Sequence, residues 1–142
     1  MTPQKPVSGR PPGPLGADRG VQHKLRLMES LRHALRAGRP DDLARLLQRR
    51  VTLTVDGGGL VTAPVEPITG RAGASTMLME LCGPSSSRTS LVVSANAEPA
   101  LMLCDDGRVA AILLVRASRG RAREVWLVLN PEKLRHWTAP QP

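Results

Sequence analysis

The chain has no tyrosine and no phenylalanine, and its aromatic content of 1% rests on two residues, Trp126 and Trp137. Any core it builds must therefore be aliphatic, packed from leucine, valine, alanine and methionine, and aromatic platforms for stacking bases are not expected. Cysteine is as scarce. Cys82 and Cys104 are the only two; each lies in an apolar segment without metal-ligand spacing, so both read as buried free thiols of a reducing compartment. Long apolar runs are missing as well. Nothing approaches the roughly 18 uncharged residues of a spanning helix, and the first residues are rich in proline and glycine where a secretory leader would have a basic and then an apolar stretch. The expectation is a cytoplasmic protein with no membrane partner. Asp56-Gly57-Gly58-Gly59 lacks the Gly-Lys-Ser/Thr ending of a phosphate loop and sits between predicted strands; no cofactor and no metal is expected.

What is present is aliphatic and basic. The 142 residues are 41% hydrophobic and carry 20 Lys and Arg against 12 Asp and Glu, a formal charge of +8. This length sets one domain as the prior. All the basic residues except Lys5, Lys24 and Lys133 are arginine, a skew that genome composition can produce. They are spread along the chain, with local groups at Arg49-Arg50 and Arg116/Arg119/Arg121/Arg123, where element ends are expected and solvated charge is normal. With no helix-turn-helix, finger or aromatic-bearing sheet motif, direct nucleic-acid binding is not expected.

Nine of residues 1–20 are proline or glycine, which predicts a disordered tail over that stretch and a domain over 21–137, followed by a flexible C-terminal tail over 138–142. From Lys24 to Ala37 the residues Leu27, Leu31, Ala34 and Leu35 recur at helical spacing, with Leu25 and Met28 beside them, and Gly38 and Pro40 end the helix. A second, shorter helix opens at Pro40 with Asp41 and Asp42 and turns Leu43, Leu46 and Leu47 inward. After Arg50 the period becomes two, predicting a strand over 51–55, a turn at 56–59 and a return strand over 60–63. Ala72 to Leu81 reads as a third helix, closed by Gly83-Pro84. The remainder reads as sheet: strands over 91–96, 100–104, 109–117 and 122–129, the last three joined by tight turns at Asp105-Asp106-Gly107 and Arg119-Gly120. Val109–Val115 and Val125–Leu129 are apolar on both alternating faces, so the sheet should be covered on one side by helices and on the other by a second subunit, giving a homodimer. The fold class expected is α+β: a curved antiparallel sheet wrapped around about three helices, with a cone-shaped cavity.

The stretch LMESLRHALRAGRPDDLARLLQRRVTLTVDGGG from Leu27 to Gly59, Ile68-Thr69-Gly70-Arg71 before the third helix, Pro99-Ala100-Leu101 at a strand start and Asn130-Pro131-Glu132-Lys133-Leu134 near the end together resemble SnoaL-like domains of the nuclear transport factor 2-like superfamily. The resemblance is greatest to the version at the C-terminus of one group of extracytoplasmic-function sigma factors, and it spans roughly residues 21–137. It implies a nuclear transport factor 2-like (cystatin-like) roll and a non-catalytic regulatory or ligand-sensing module that modulates transcription through protein contacts. By the same resemblance, Asp56, Gly57, Gly58, Gly59, Asn130, Pro131, Lys133 and Leu134 are family-motif or partner-contact positions, and a sigma factor or another transcription protein is the implied partner. Leu60 stands where those sigma factors commonly have a lysine. The sigma domains that bind polymerase and promoter are not found in this chain, so the expectation is a module acting in trans.

The roll also resembles ketosteroid isomerases and SnoaL-type polyketide cyclases, which move a proton beside a carbonyl in an apolar cavity. Asp56, Asp105, Asp106, Glu98 and Glu124 all lie in or near predicted turns or strand starts, where solvated carboxylates are normal, and no acid–base pair stands out. No catalytic residue is therefore assigned. His33, Asn96 and Trp126 are the candidates to line a pocket, which a small apolar ligand could fill; for Trp126 the competing reading is core or interface, and for His33 a surface position.

Overall fold

A computed structural model describes residues 15–59 and 63–139. The first helix, α1 (Leu15–Ala37), buries Leu27, Met28, Leu31, Ala34 and Leu35 along one stripe. It ends as predicted. Gly38 has φ 67°, its N–H reaches the Leu35 carbonyl at 3.2 Å and Arg39 N–H reaches the Ala34 carbonyl at 3.2 Å, the paired closure that an αL residue permits. It begins nine residues before the expected Lys24, so residues 15–20 of the expected tail are helical. The reason is that no proline occurs between Pro14 and Pro40, and Gly16 and Gly20 lower helix propensity without removing a hydrogen-bond donor. Residues 1–14 of that tail lie outside the described residues, as do 140–142 at the other end; Ala139 packs against the domain.

Helix α2 (Pro40–Arg45) is shorter than the leucine spacing suggests. Leu43 is buried on it, but Leu47 already opens strand β1 (Leu47–Asp56). The expected return strand falls mostly on residues 60–62, outside the described residues, and Ala63 is not in a strand. The antiparallel partner of β1 on this edge is instead β2 (Ile68–Thr69), which leads into α3 (Arg71–Cys82). Strands β3 (Arg88–Ala95), β4 (Glu98–Asp105), β5 (Arg108–Ser118) and β6 (Arg121–Val128) form an antiparallel meander, and α4 (Pro131–Leu134) follows. Asp106-Gly107 and Arg119-Gly120 all have positive φ, the geometry of tight hairpin turns. Asn96-Ala97 does the same between β3 and β4, at φ 53° and 65°.

The six strands form one sheet in the order β2-β1-β6-β5-β4-β3, in which β1 and β6 run parallel and every other pair is antiparallel. Alternation sorts the side chains onto two faces. The inner face gives Val51, Leu53, Val55, Leu101, Leu103, Leu113, Val115, Val125 and Leu127 to the helices, which answer with Leu27, Met28, Leu31, Leu35, Leu43, Ala74, Leu78 and Cys82. The outer face gathers Ala100, Met102, Cys104 and Ile112 with Leu134 of α4, and Trp137 and Ala139 pack on the same cluster. The chain's own C-terminal segment thus covers part of the face expected to meet a second subunit. Arg88 ties the end of α3 to the sheet: its Nε and Nη2 donate to the Asp105 carboxylate at 2.8 and 3.1 Å, and Nη1 donates to the Gly83 carbonyl at 2.7 Å. No helix among the described residues is long and apolar enough to cross a membrane.

Candidate functional site

Because β1 and β6 are parallel, with Asp56 opposite Val128, both strands deliver the chain to the same corner of the sheet. The two sequence motifs singled out above meet there. The Asp56 carbonyl accepts from Leu129 N–H at 2.8 Å, extending the ladder by one bond. Its carboxylate is divided between two tasks: Oδ1 accepts from Gly58 N–H at 3.1 Å, and Oδ2 accepts from Lys133 Nζ at 2.5 Å. Asn130 is the N-cap of α4, its Oδ1 accepting from Glu132 N–H at 3.1 Å, and Pro131 occupies the first turn. Leu134 anchors that short helix in the outer cluster.

Gly58 is the point of closest approach. Its φ is 64°, and a Cβ there would lie 2.3 Å from both Cγ and Oδ1 of Asn130, so the glycine loop and the Asn-Pro helix interlock. Gly59, at φ 77°, has open space around its missing side chain. The hydrogen bond from Lys133 is the largest influence on Asp56 and holds its carboxyl below the ordinary range against a smaller opposing effect of burial; the charge of Lys133, Gly58 N–H and Asn130 act in the same direction as the hydrogen bond. Gly58, Gly59, Pro131, Glu132 and Lys133 remain exposed around this clasp.

The interior between helices and sheet is different in kind. Its lining is mainly aliphatic; Ser75, whose Oγ donates to the Ala72 carbonyl at 3.1 Å, is the buried polar residue among those described, and the Oγ of half-buried Ser90 is enclosed without a hydrogen-bond partner. At the open end, between α1, the end of α3 and β3–β4, a cleft of about 210 Å³ remains beside Arg32, Arg36, Arg88 and Ser90. That is below the roughly 300 Å³ at which small-molecule pockets usually begin.

None of the weighed acids and bases points into this interior. Asp56 is in the clasp, and Asp105 is paired with Arg88, whose hydrogen bond is the main cause of its lowered pKa. Asp106 is in a turn, Glu98 is exposed beside Lys24 at 3.3 Å, and Glu124 faces Arg116 at 3.3 Å on the outer face. His33 is exposed on α1, off the buried stripe. Asn96 sits in the β3–β4 turn and borders an outer cleft of about 530 Å³ with Ile112, Leu114, Val128 and Trp137. Trp126 is also outside: it pairs with Leu114 and Thr54 on the outer face, and the Arg116 guanidinium lies 5.8 Å from its ring centre. Strand parity sets this orientation, since Val125 and Leu127 take the inward positions of β6. Among the described residues no group of three His, Cys, Asp or Glu side chains could hold a metal.

No protein-family profile and no curated protein sequence matches the chain. Solved structures do. The extracytoplasmic function sigma factor SigJ of Mycobacterium tuberculosis aligns at 23% identity and a TM-score of 0.61 over 83% of this chain and 47% of that one, so the chain spans about half the length of that protein. A Kribbella flavida protein proposed to be a ketosteroid isomerase aligns at 16% identity and a TM-score of 0.56, over 86% and 84%. A cystatin-like protein of Silicibacter pomeroyi aligns at 17% and 0.58, over 81% of each chain. The fold is the nuclear transport factor 2-like, cystatin-like α+β roll.

Proposed function

We propose that this nuclear transport factor 2-like domain is a non-catalytic regulatory module, related to the C-terminal domain of extracytoplasmic-function sigma factors, that works through protein contacts at the clasped corner. The observation that carries the reading is a contrast between two places. The interior, where an isomerase or cyclase of this fold would need an ionisable group, is lined mainly by aliphatic side chains, and among the described residues no carboxylate or histidine is buried there to move a proton next to a carbonyl. The corner joins two segments by a charged hydrogen bond, a helix cap and a glycine that accepts no side chain. These contacts hold exposed backbone in one shape, and preorganisation of that kind lowers the cost of binding a partner. The partner in this reading is a sigma factor or another transcription protein, bound in the cytoplasm, where the buried free thiols Cys82 and Cys104 stay reduced.

The same reading includes a homodimer through the outer face, where Leu91, Val93, Leu114 and Trp126 remain partly exposed. The test is affinity capture from the native host with the full chain and with Gly58→Asp, both checked for folding by circular dichroism. A transcription protein identified with the first and missing with the second supports the proposal. Equal recovery with both variants, or turnover of a ketosteroid by the purified chain, refutes it.

A further inference from the structure

In sequence, Arg49, Arg71 and the Arg119/Arg121/Arg123 group are far apart. The fold collects them. They border one open cleft of about 700 Å³ at the end of the sheet opposite the clasp, together with Gln48 and Ser118. Two departures from strand regularity lie among them. On β6, Arg123 is the extra residue between Ala122 and Glu124, which pair with Ala117 and Arg116; on β1, the register to β6 shifts between Leu47 and Thr52, the stretch that holds Arg49. Bulges of this kind re-aim side chains. The backbone beneath is fastened by Gln48 Nε2 donating to the Ser118 carbonyl at 2.7 Å and Arg71 Nε donating to the Leu47 carbonyl at 3.0 Å.

Among the described residues no carboxylate borders the cleft. No ion pair among the described residues includes Arg49, Arg71, Arg119, Arg121 or Arg123; Arg26, Arg36, Arg50 and Arg108 are likewise outside the ion pairs but do not border this cleft, whereas Arg32, Arg39, Arg45, Arg88, Arg116 and Arg135 each have an acidic neighbour. Five like charges held together without counter-charge repel one another and are relieved by a polyanion.

From this geometry we infer that the arginine end of the sheet binds the phosphate backbone of duplex nucleic acid, without reading sequence. The composition of the cleft selects this partner over an acidic protein. Protein interfaces centre on apolar side chains with charge depleted, and among the described residues no apolar side chain lines this cleft; nucleic-acid interfaces are polar and strongly positive. With no aromatic side chain in that lining either, base stacking has no platform and phosphate contacts are what the cleft can make. The inference does not depend on the regulatory reading, because the patch lies at the other end of β1 and β6 from the clasp.

The test is fluorescence anisotropy of the full chain with two labelled duplexes of unrelated sequence, titrated at several salt concentrations. A patch triple, Arg49→Gln with Arg121→Gln and Arg123→Gln, is compared with a control triple of equal charge, Arg26→Gln with Arg36→Gln and Arg108→Gln. All six positions are exposed, so both triples should stay folded, and circular dichroism verifies this. The expected result is binding of both duplexes alike. The patch triple should weaken it at least about ten-fold and reduce the salt slope by about 0.9 for each phosphate that the protein no longer neutralises, while the control triple changes affinity by no more than about two-fold. Equal weakening by the two triples would assign the effect to net charge and overturn the inference. So would absence of binding by the unmodified chain, or tighter binding to poly-glutamate than to duplex.

Discussion

Replacing Gly58 by alanine tests how tightly the two motifs are locked together. The new Cβ would sit 2.3 Å from Asn130 Cγ, so Asn130 must leave its position and its cap on Glu132 N–H weakens. Holding alanine at φ 64° costs about 1 kcal/mol. Loss of a helix N-cap costs about 1 kcal/mol more, for a total of about 2 kcal/mol. Gly59→Ala is the matched control, because its φ is 77° but no atom lies within 4 Å of the added carbon. It should cost only the backbone part, about 1 kcal/mol. For a domain of this size each kcal/mol lowers Tm by about 3–5 °C, so calorimetry should separate the two variants by several degrees. In an Asn130→Ala background the extra cost at Gly58 should disappear, a coupling of about 1 kcal/mol between residues 72 positions apart in sequence. If Gly58→Ala and Gly59→Ala destabilise equally, or if Asn130→Ala leaves their difference intact, the interlock does not exist.

Three other outcomes are expected. The carboxyls of Asp56 and Asp105 are held below their ordinary range, chiefly by hydrogen bonds from Lys133 and Arg88, so their stabilisation is present above the unfolded value near 3.9 and is lost as pH falls through the lower folded values. Lys133→Met should cost about 0.5 kcal/mol at neutral pH, a value for a pair as exposed as this one, and should flatten the acid limb of a urea-denaturation series below about pH 4; an unchanged acid limb would count against the pairing. Burial pushes the Cys82 thiol up to about 12, so it should resist alkylation at pH 8 in the folded protein and react on unfolding, and rapid native labelling would contradict its placement. Sedimentation should give a dimer that Leu114→Lys with Trp126→Glu converts to a folded monomer, whereas a variant that still sediments as a dimer would move the interface elsewhere.

The parts of the fold legible in the sequence are those written by local pattern. Continuous apolar, β-rich runs in β5 and β6, with Gly107 and Gly120 in the turns that bound them, set two hairpins within a residue or two of their observed ends. Leu27 to Leu35 sets the buried stripe of α1, and Gly38 its end. The pattern is ambiguous at Leu47, which fits a helical stripe with Leu43 but is the first residue of β1. The Asn96-Ala97 turn was hidden because alanine rarely adopts a φ of 65°. Both candidate motifs were legible as separate segments. Their union was not, because it follows from parallel pairing of β1 with β6, which no local period encodes. The same non-local pairing gathers the arginines at the opposite end, and it also turns Trp126 away from the helices, since one step along a strand exchanges the two faces.

The central claim is that the clasped corner is a protein-contact surface, and site-specific photocross-linking tests it most directly. A benzoylphenylalanine in place of exposed Glu132, on the corner, is compared in the native host with one in place of exposed Arg26 on α1. The account predicts an adduct with a sigma factor or another transcription protein from position 132 that position 26 does not form. The same adducts from both positions, or none from position 132 while the protein is folded and expressed, would contradict it.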